Sequence, residues 1–380
     1  MSVDLPNILI VDDENGASFQ AALADLARTR ALHPKDVELD DLRWADLVLM
    51  DYFIQSWPTR DDLSELGLRP PNGLALAAVL REHLDDQSSD DDHDYTAFAV
   101  HTSHIGDISK RLHTSSRAPH VVARLNNLEW AFDKGDKGRF VREATLASGV
   151  REVSQGWSAV AADGLPSLTS ELLRLPGDQN WSERALDDVQ LCQVPMSVLS
   201  AGSNGLTFLR WLAHTILPYP TFLWDEHWVA TRLRITVAGL RQVLEGDSEL
   251  AQRLRALRYD GVLAGFLGER WWKGAVEQFA WQIRAKGASS AEEFHARLQE
   301  MAQAHLERLS FSSPVVCVGR DLAPTGVVEQ LESTVRLVPD LWPSYADMAH
   351  AEIALVREDA QLRALVHPLD RDAVEPEESE

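Results

Sequence analysis

The chain reads as an α/β protein, with an N-terminal doubly wound five-stranded parallel sheet followed by a mainly α-helical domain. Two patterns carry that reading. Residues 1–147 alternate short β-rich apolar runs with helical patterns, the rhythm of βα units on a parallel sheet. Beyond about residue 150 the β-rich runs nearly vanish, and amphipathic patterns continue to about 310, as with Leu206, Leu209, Arg210, Ala213 and Leu217 on one face. A chain of 380 residues suits such a two-part division. The parts are placed at 1–149 and 150–374, with 375–380 (EPEESE) an acidic disordered tail.

The elements follow in order. Asn7–Val11 is the first strand and ends in Asp12-Asp13-Glu14. A helix is expected from about Ala17 to Leu32, stopped by Pro34, then a short strand at Val37–Leu39. Ala45–Met50 is a continuous apolar run, the mark of a strand buried on both faces, and it ends at Asp51. Gly73–His83 is a helix, Thr96–His101 a fourth strand ending in Thr102, and Leu128–Phe132 a fifth ending in Asp133-Lys134. The last helix of this part starts at Gly138, and Ala162–Trp181 carries the Gly, Pro, Asp and Asn of a loop.

Composition excludes several classes. Thirty-six Lys and Arg against 59 Asp and Glu give −23, which repels phosphate backbones and anionic lipid and makes nucleic acid an unlikely partner for the chain as a whole. Two cysteines, Cys192 and Cys317, cannot build a disulfide scaffold or a cysteine zinc site. No apolar stretch is long enough for a membrane span and the start carries no signal-peptide pattern, so a cytoplasmic location is expected.

In a parallel sheet every strand finishes on one side, and ligands bind at that edge. Asp12, Asp13, Asp51, Thr102 and Lys134 therefore share one crevice. Three carboxylates this close repel unless a cation shares them, and an all-oxygen donor set with room for water suits Mg²⁺. Mg²⁺ and an ammonium fit phosphoryl transfer to a carboxylate, with Asp51 attacking in line.

This constellation, over about residues 5–147, resembles the receiver domain of bacterial two-component response regulators. The resemblance implies that Asp51 is the phosphoacceptor, that Asp12 and Asp13 hold Mg²⁺ with the backbone carbonyl of Phe53, that Thr102 is the hydroxyl turning toward the phosphate, and that Lys134 is the conserved cation of the family. It implies a sensor histidine kinase as donor and no enzymatic activity beyond the phosphoacceptor chemistry. The chain departs from the family in several places. Twenty-two positions separate Asp51 from Gly73 where the family keeps a short connection, and the extra segment (SWPTRDDLSELGLRPP) reads as a lid or an adaptor surface over the site. The second helix is nearly absent between Leu39 and Ala45, and an acidic loop fills 85–94. Gly135 follows Lys134 in place of a proline. Ala131 stands where the family has its switch aromatic, flanked by Trp130 and Phe132.

The second part carries weaker signals. Val229–Leu244 has helix-turn-helix spacing with Thr236 as a cap, but Arg234 sits where the turn favours glycine. Trp272, Val276, Phe279 and Ile283 keep a core-facing helical spacing, with Arg270 and Lys273 beside Trp271. Tyr219, Pro220, Phe222, Trp224 and Trp228 offer a groove for a partner helix. Ser313–Arg320 is a short strand whose Cys317 reads as buried and inert, and His101 and His104 read as bystanders beside Thr102. The function expected is a response regulator relaying its signal through the helical part to a protein effector, with a homodimer left open. The alternatives are a DNA-binding regulator using 229–244, an enzyme with its site hidden in the helical part, and a non-phosphorylated pseudo-receiver scaffold.

Overall fold

The computed structural model describes residues 5–54, 70, 72–87, 96–110, 112–195, 205–285, 287 and 290–375. Its first sheet holds β1 (Asn7–Val11), β2 (Arg28–Leu32), β3 (Leu47–Asp51), β4 (Ala97–Thr102) and β5 (Trp130–Asp133), all parallel, in the order β2-β1-β3-β4-β5. The helices between them are α1 (Gly16–Leu23), α2 (Leu39–Trp44), α3 (Gly73–Gln87), α4 (Ile105–Ser109), α5 (Pro119–Leu125) and α6 (Arg139–Asp163).

The continuous apolar runs are explained by burial on both faces. Ile8, Ile10, Leu47, Leu49, Trp130 and Phe132 point to one side, with Leu23 of α1 and Leu146 of α6. Leu9, Val11, Val48, Met50, Phe98 and Ala131 point to the other, where α2, α3 and α5 supply Leu42, Leu76 and Val122. A period of two along each strand sends successive side chains into two different cores.

Two expected elements are corrected. The helix foreseen to Leu32 ends at Leu23, and the second strand is Arg28–Leu32, not Val37–Leu39. This is an edge strand paired only with β1, so RTRAL leaves polar side chains in water and carries little apolar signal. Pro34–Asp36 forms a 3₁₀ turn, and α2 exists as a short helix closed by a capping box between Glu38 and Asp41.

The division placed at 149/150 lies inside α6, which runs unbroken to Gly164. Gly149 is a close-packing glycine: a Cβ there would lie 2.6 Å from Cδ2 of Leu263. Val153, Trp157 and Val160 carry the sheet-side core onward without a gap. Part of the expected loop after 162 is helical. α7 (Leu165–Ser167) runs into a π turn at Leu168–Leu172, whose Leu168 and Leu172 are buried in the same core. Next come α8 (Ser182–Leu191) and α9 (Leu206–Trp211), the latter continued by a second π turn, Leu212–Ile216.

A second core is built by α10 (Glu226–Leu233), α11 (Val237–Glu245), α12 (Glu249–Ala256), α13 (Lys273–Ala285) and α14 (Ala291–Ala302). Two-residue strands β6 (Leu223–Trp224) and β7 (Trp271–Trp272) pair antiparallel at its border. The α10–α11 pair has the expected turn: Arg234 takes a left-handed φ of 58°, and the Thr236 hydroxyl accepts from the Gly239 N–H at 3.1 Å.

Residues 314–352 add a four-stranded sheet of which only the first strand, within Ser313–Arg320, was foreseen. It holds β8 (Pro314–Val318), β9 (Pro324–Gln330), β10 (Thr334–Leu337) and β11 (Ala349–Glu352), followed by α15 (Ile353–Glu358) and α16 (Ala360–Ala364). The foreseen aromatic groove is filled from within. Asp347 accepts from Trp224 Nε1 at 2.8 Å and from Lys273 Nζ at 2.5 Å, its N–H donates to Pro220 O, and Trp342 packs edge-on to Tyr219. Among the described residues no helix is long and apolar enough to cross a membrane.

Candidate functional site at the sheet edge

The carboxyl ends of β1, β3 and β5 deliver Asp12, Asp13, Asp51 and Lys134 to one place, and β4 ends beside them at Thr102. Oxygens of Asp12, Asp13 and Asp51 lie within 4.8 Å of one another, a donor set able to hold a metal ion. Lys134 Nζ stands 3.2 Å from Asp12 Oδ2 and 3.0 Å from Asp51 Oδ2. Its own N–H donates to the Thr102 carbonyl at 3.0 Å, which ties the ends of β4 and β5 together. The Thr102 hydroxyl is fully buried and accepts from the His104 N–H at 3.0 Å.

The two sheltered acids differ. Burial raises the Asp12 pKa, but N–H groups of Asn15 and Glu14 on Oδ1 and the Lys134 ammonium outweigh it, so the net shift is downward. For Asp51 burial is the largest influence and prevails over Lys134 and the Phe53 N–H, so its pKa is raised. Phe53 therefore reaches the site with its N–H, while its ring packs edge-on to His104 at 4.6 Å.

The long connection after Asp51 does not disturb this geometry. Gly73 N–H donates to Tyr52 O at 3.0 Å, and a Cβ on Gly73 would lie 1.9 Å from Asp51 O. Only glycine lets α3 begin against the end of β3. All but Pro70 of the segment foreseen as a lid, 56–71, and the stretch 88–94 of the acidic loop lie outside the described residues.

Beneath the acids lies a layer that spacing did not announce. His101 was read as a bystander, yet its ring is buried with Nε2 3.8 Å from Asp12 Oδ2 and Nδ1 4.0 Å from Glu143 Oε1. Burial and Lys134 push its pKa down to about 3, so the ring is neutral. Burial pushes the Glu143 carboxyl up to about 7 against Arg139, Arg142 and Lys134. Phe19 closes the layer, edge-on to His101 at 4.9 Å and with Lys134 Nζ 4.9 Å from its centroid. Arg139 donates to the Lys134 carbonyl. The adjacency of His101 to Thr102 was the available signal. Glu143 and Arg139, on a helix one turn past the last strand, gave none.

The flanking aromatics face the rest of the chain. Trp130 and Phe132 meet Phe266 edge-on at 4.8 and 6.3 Å, while Ala131 lies in the opposite core. Next to them the buried Glu129 carboxylate accepts from the Phe98 N–H at 2.5 Å and from Arg210 Nε at 2.7 Å, with Arg81 at 3.6 Å. His214, inside the second π turn, is bonded to the Glu129 carbonyl at 2.7 Å, and His120 to the Tyr219 hydroxyl at 2.9 Å. The helical part is thus joined to the β5 side of the sheet by polar as well as apolar contacts.

Other foreseen features resolve plainly. Trp271 is buried, so a base cannot stack on it; Arg270 donates to the Leu217 carbonyl and Lys273 lies 5.5 Å from the Trp224 ring. Cys317 is buried, which pushes its thiol up to about 12, and Arg241 of α11 pairs with Glu226. Comparison of the chain with family models, with curated proteins and with solved structures finds no match.

Proposed function

We propose that the chain is a two-component-type response regulator, phosphorylated on Asp51 and relaying that event through its helical part to a protein effector. The observation that carries the reading is the convergence of Asp12, Asp13 and Asp51 with Lys134 Nζ at 3.0 and 3.2 Å. Asp12, Asp13 and Asp51, with the Phe53 carbonyl, would hold Mg²⁺, which when bound neutralises charge on the phosphoryl oxygens. Asp51 attacks the phosphorus of a phosphohistidine on a sensor kinase, and the P–N bond of the donor breaks as the acyl phosphate forms. Lys134 pairs with the new charge, and the Thr102 hydroxyl leaves the His104 N–H to meet it. About two negative charges are added to an acidic crevice, which favours rearrangement of the Thr102 and Lys134 loops. The bonds from Arg210 and His214 to Glu129 support a path from that edge into the helical part.

Acetyl phosphate with Mg²⁺ is expected to add a single phosphate by intact-mass spectrometry, and Asp51→Asn to abolish it. A second reading, a scaffold without phosphorylation, draws on Lys134 already paired with both sheltered acids. Failure of acetyl phosphate and of phosphoramidate to add mass would decide for that scaffold.

A further inference from the structure

On this strongly acidic chain one face of the helical part inverts the charge. Arg232 closes α10 and Arg234 occupies the turn after it. An antiparallel bridge sets Ile235 opposite Arg308, with the Leu309 N–H donating to the Arg234 carbonyl at 3.0 Å. Arg284 lies over the Phe294 ring at 5.2 Å on the neighbouring α13. The charges that weigh on Arg234 are Arg284, Arg308 and Arg232, all cations. Carboxylates are present but engaged: Glu292 pairs with Arg308 at 2.8 Å, and Glu277 with Arg184.

The same face carries Trp281, one helical turn before Arg284 and 60 % exposed. It lines a depression of about 360 Å³ with Arg184, Arg232, Glu277 and Gln278. Most of this indole is in water, whereas the other tryptophans of this part lie in or against the cores. Arg308 is engaged by Glu292, and the Arg234 guanidinium donates to the Phe311 and Ser312 carbonyls, while Arg232 and Arg284 stand exposed. A flat aromatic surface beside those two suits a ligand that offers phosphates and an unstacked ring together. A duplex keeps its bases stacked inside, and a polyglutamate has charge but no ring for the indole.

We propose that the face carrying Arg232, Arg284 and Trp281 binds single-stranded nucleic acid, its phosphates on those two guanidiniums and a base stacked on the indole. This differs from base reading by α11, whose Arg241 is paired with Glu226. It is also independent of phosphorylation at Asp51.

Fluorescence anisotropy of labelled dT12 with the full chain tests it. Binding at 50 mM salt should weaken about tenfold by 200 mM, as two or three phosphate contacts predict. Trp281→Ala should weaken it about tenfold, a change that leaves the arginines in place. Arg232→Glu combined with Arg284→Glu should abolish it, while Arg363→Glu on α16 leaves it unchanged. Absence of dT12 binding at 50 mM salt, or equal binding by the Trp281→Ala and double-glutamate proteins, overturns the proposal. Tighter binding of a twelve-residue polyglutamate assigns the face to an acidic protein, and tighter binding of a duplex assigns it to double-stranded DNA. Either result also overturns it.

Discussion

The sheet half and the α10–α14 half handle charge in opposite ways. In the first, Asp12, Asp51, Lys134, His101 and Glu143 are sheltered, and each is fixed by a strand end or by the first turns of α6. In the second, Arg232, Arg241 and Arg284 stand in water, on helices whose inward faces are apolar. Like charges are brought together under cover only where the backbone leaves them no alternative. On an open helical face they are screened and replaceable. Removing a group from the sheltered set should therefore cost much more than removing one from the open set.

The sharpest way to break that contrast lies where the halves meet. Arg210→Ala leaves Glu129 buried with only Arg81 still near, which should cost about 3 kcal/mol of unfolding free energy, the lower end for a halved buried pair. A urea midpoint unchanged from the parent would mean that this carboxylate is not held as described. The effect of acid is next in size. Burial, with His214 and Arg124, pushes His120 down to about 3, so its contribution is present above its ordinary value of 6.5 and is lost as pH falls through the window below. At pH 5 that loss is about 2 kcal/mol, and His120→Asn should flatten the fall in stability between pH 7.5 and 5. A parallel fall in both proteins counts against a neutral His120 bonded to Tyr219. The smallest effect belongs to the open half. Arg241→Ala should change stability by under about 1 kcal/mol, because its pair with Glu226 lies at the surface.

The contrast also explains what could be read in advance. Asp12, Asp51, Thr102 and Lys134 were legible because a parallel sheet maps the ends of its strands onto one edge, so order along the chain becomes proximity in space. Asp13 came with Asp12. The edge strand β2 was missed because RTRAL, half in water, lacks the apolar run that marked the strands beside it. His101 and Glu143 lie on different elements and meet through packing, which no spacing encodes. In the helical part the aromatics read as a groove for a partner helix pack within the chain, against Asp347 and Trp342, which lie more than a hundred residues from Trp224.

The 25 residues of α6 give the molecule a stiff rod about 37 Å long. Its first turn holds the carbonyl of Lys134 through Arg139, and its far end is wedged among Leu168, Leu172 and Leu206. One continuous shaft therefore underlies both the ammonium end and helices that never touch the acids.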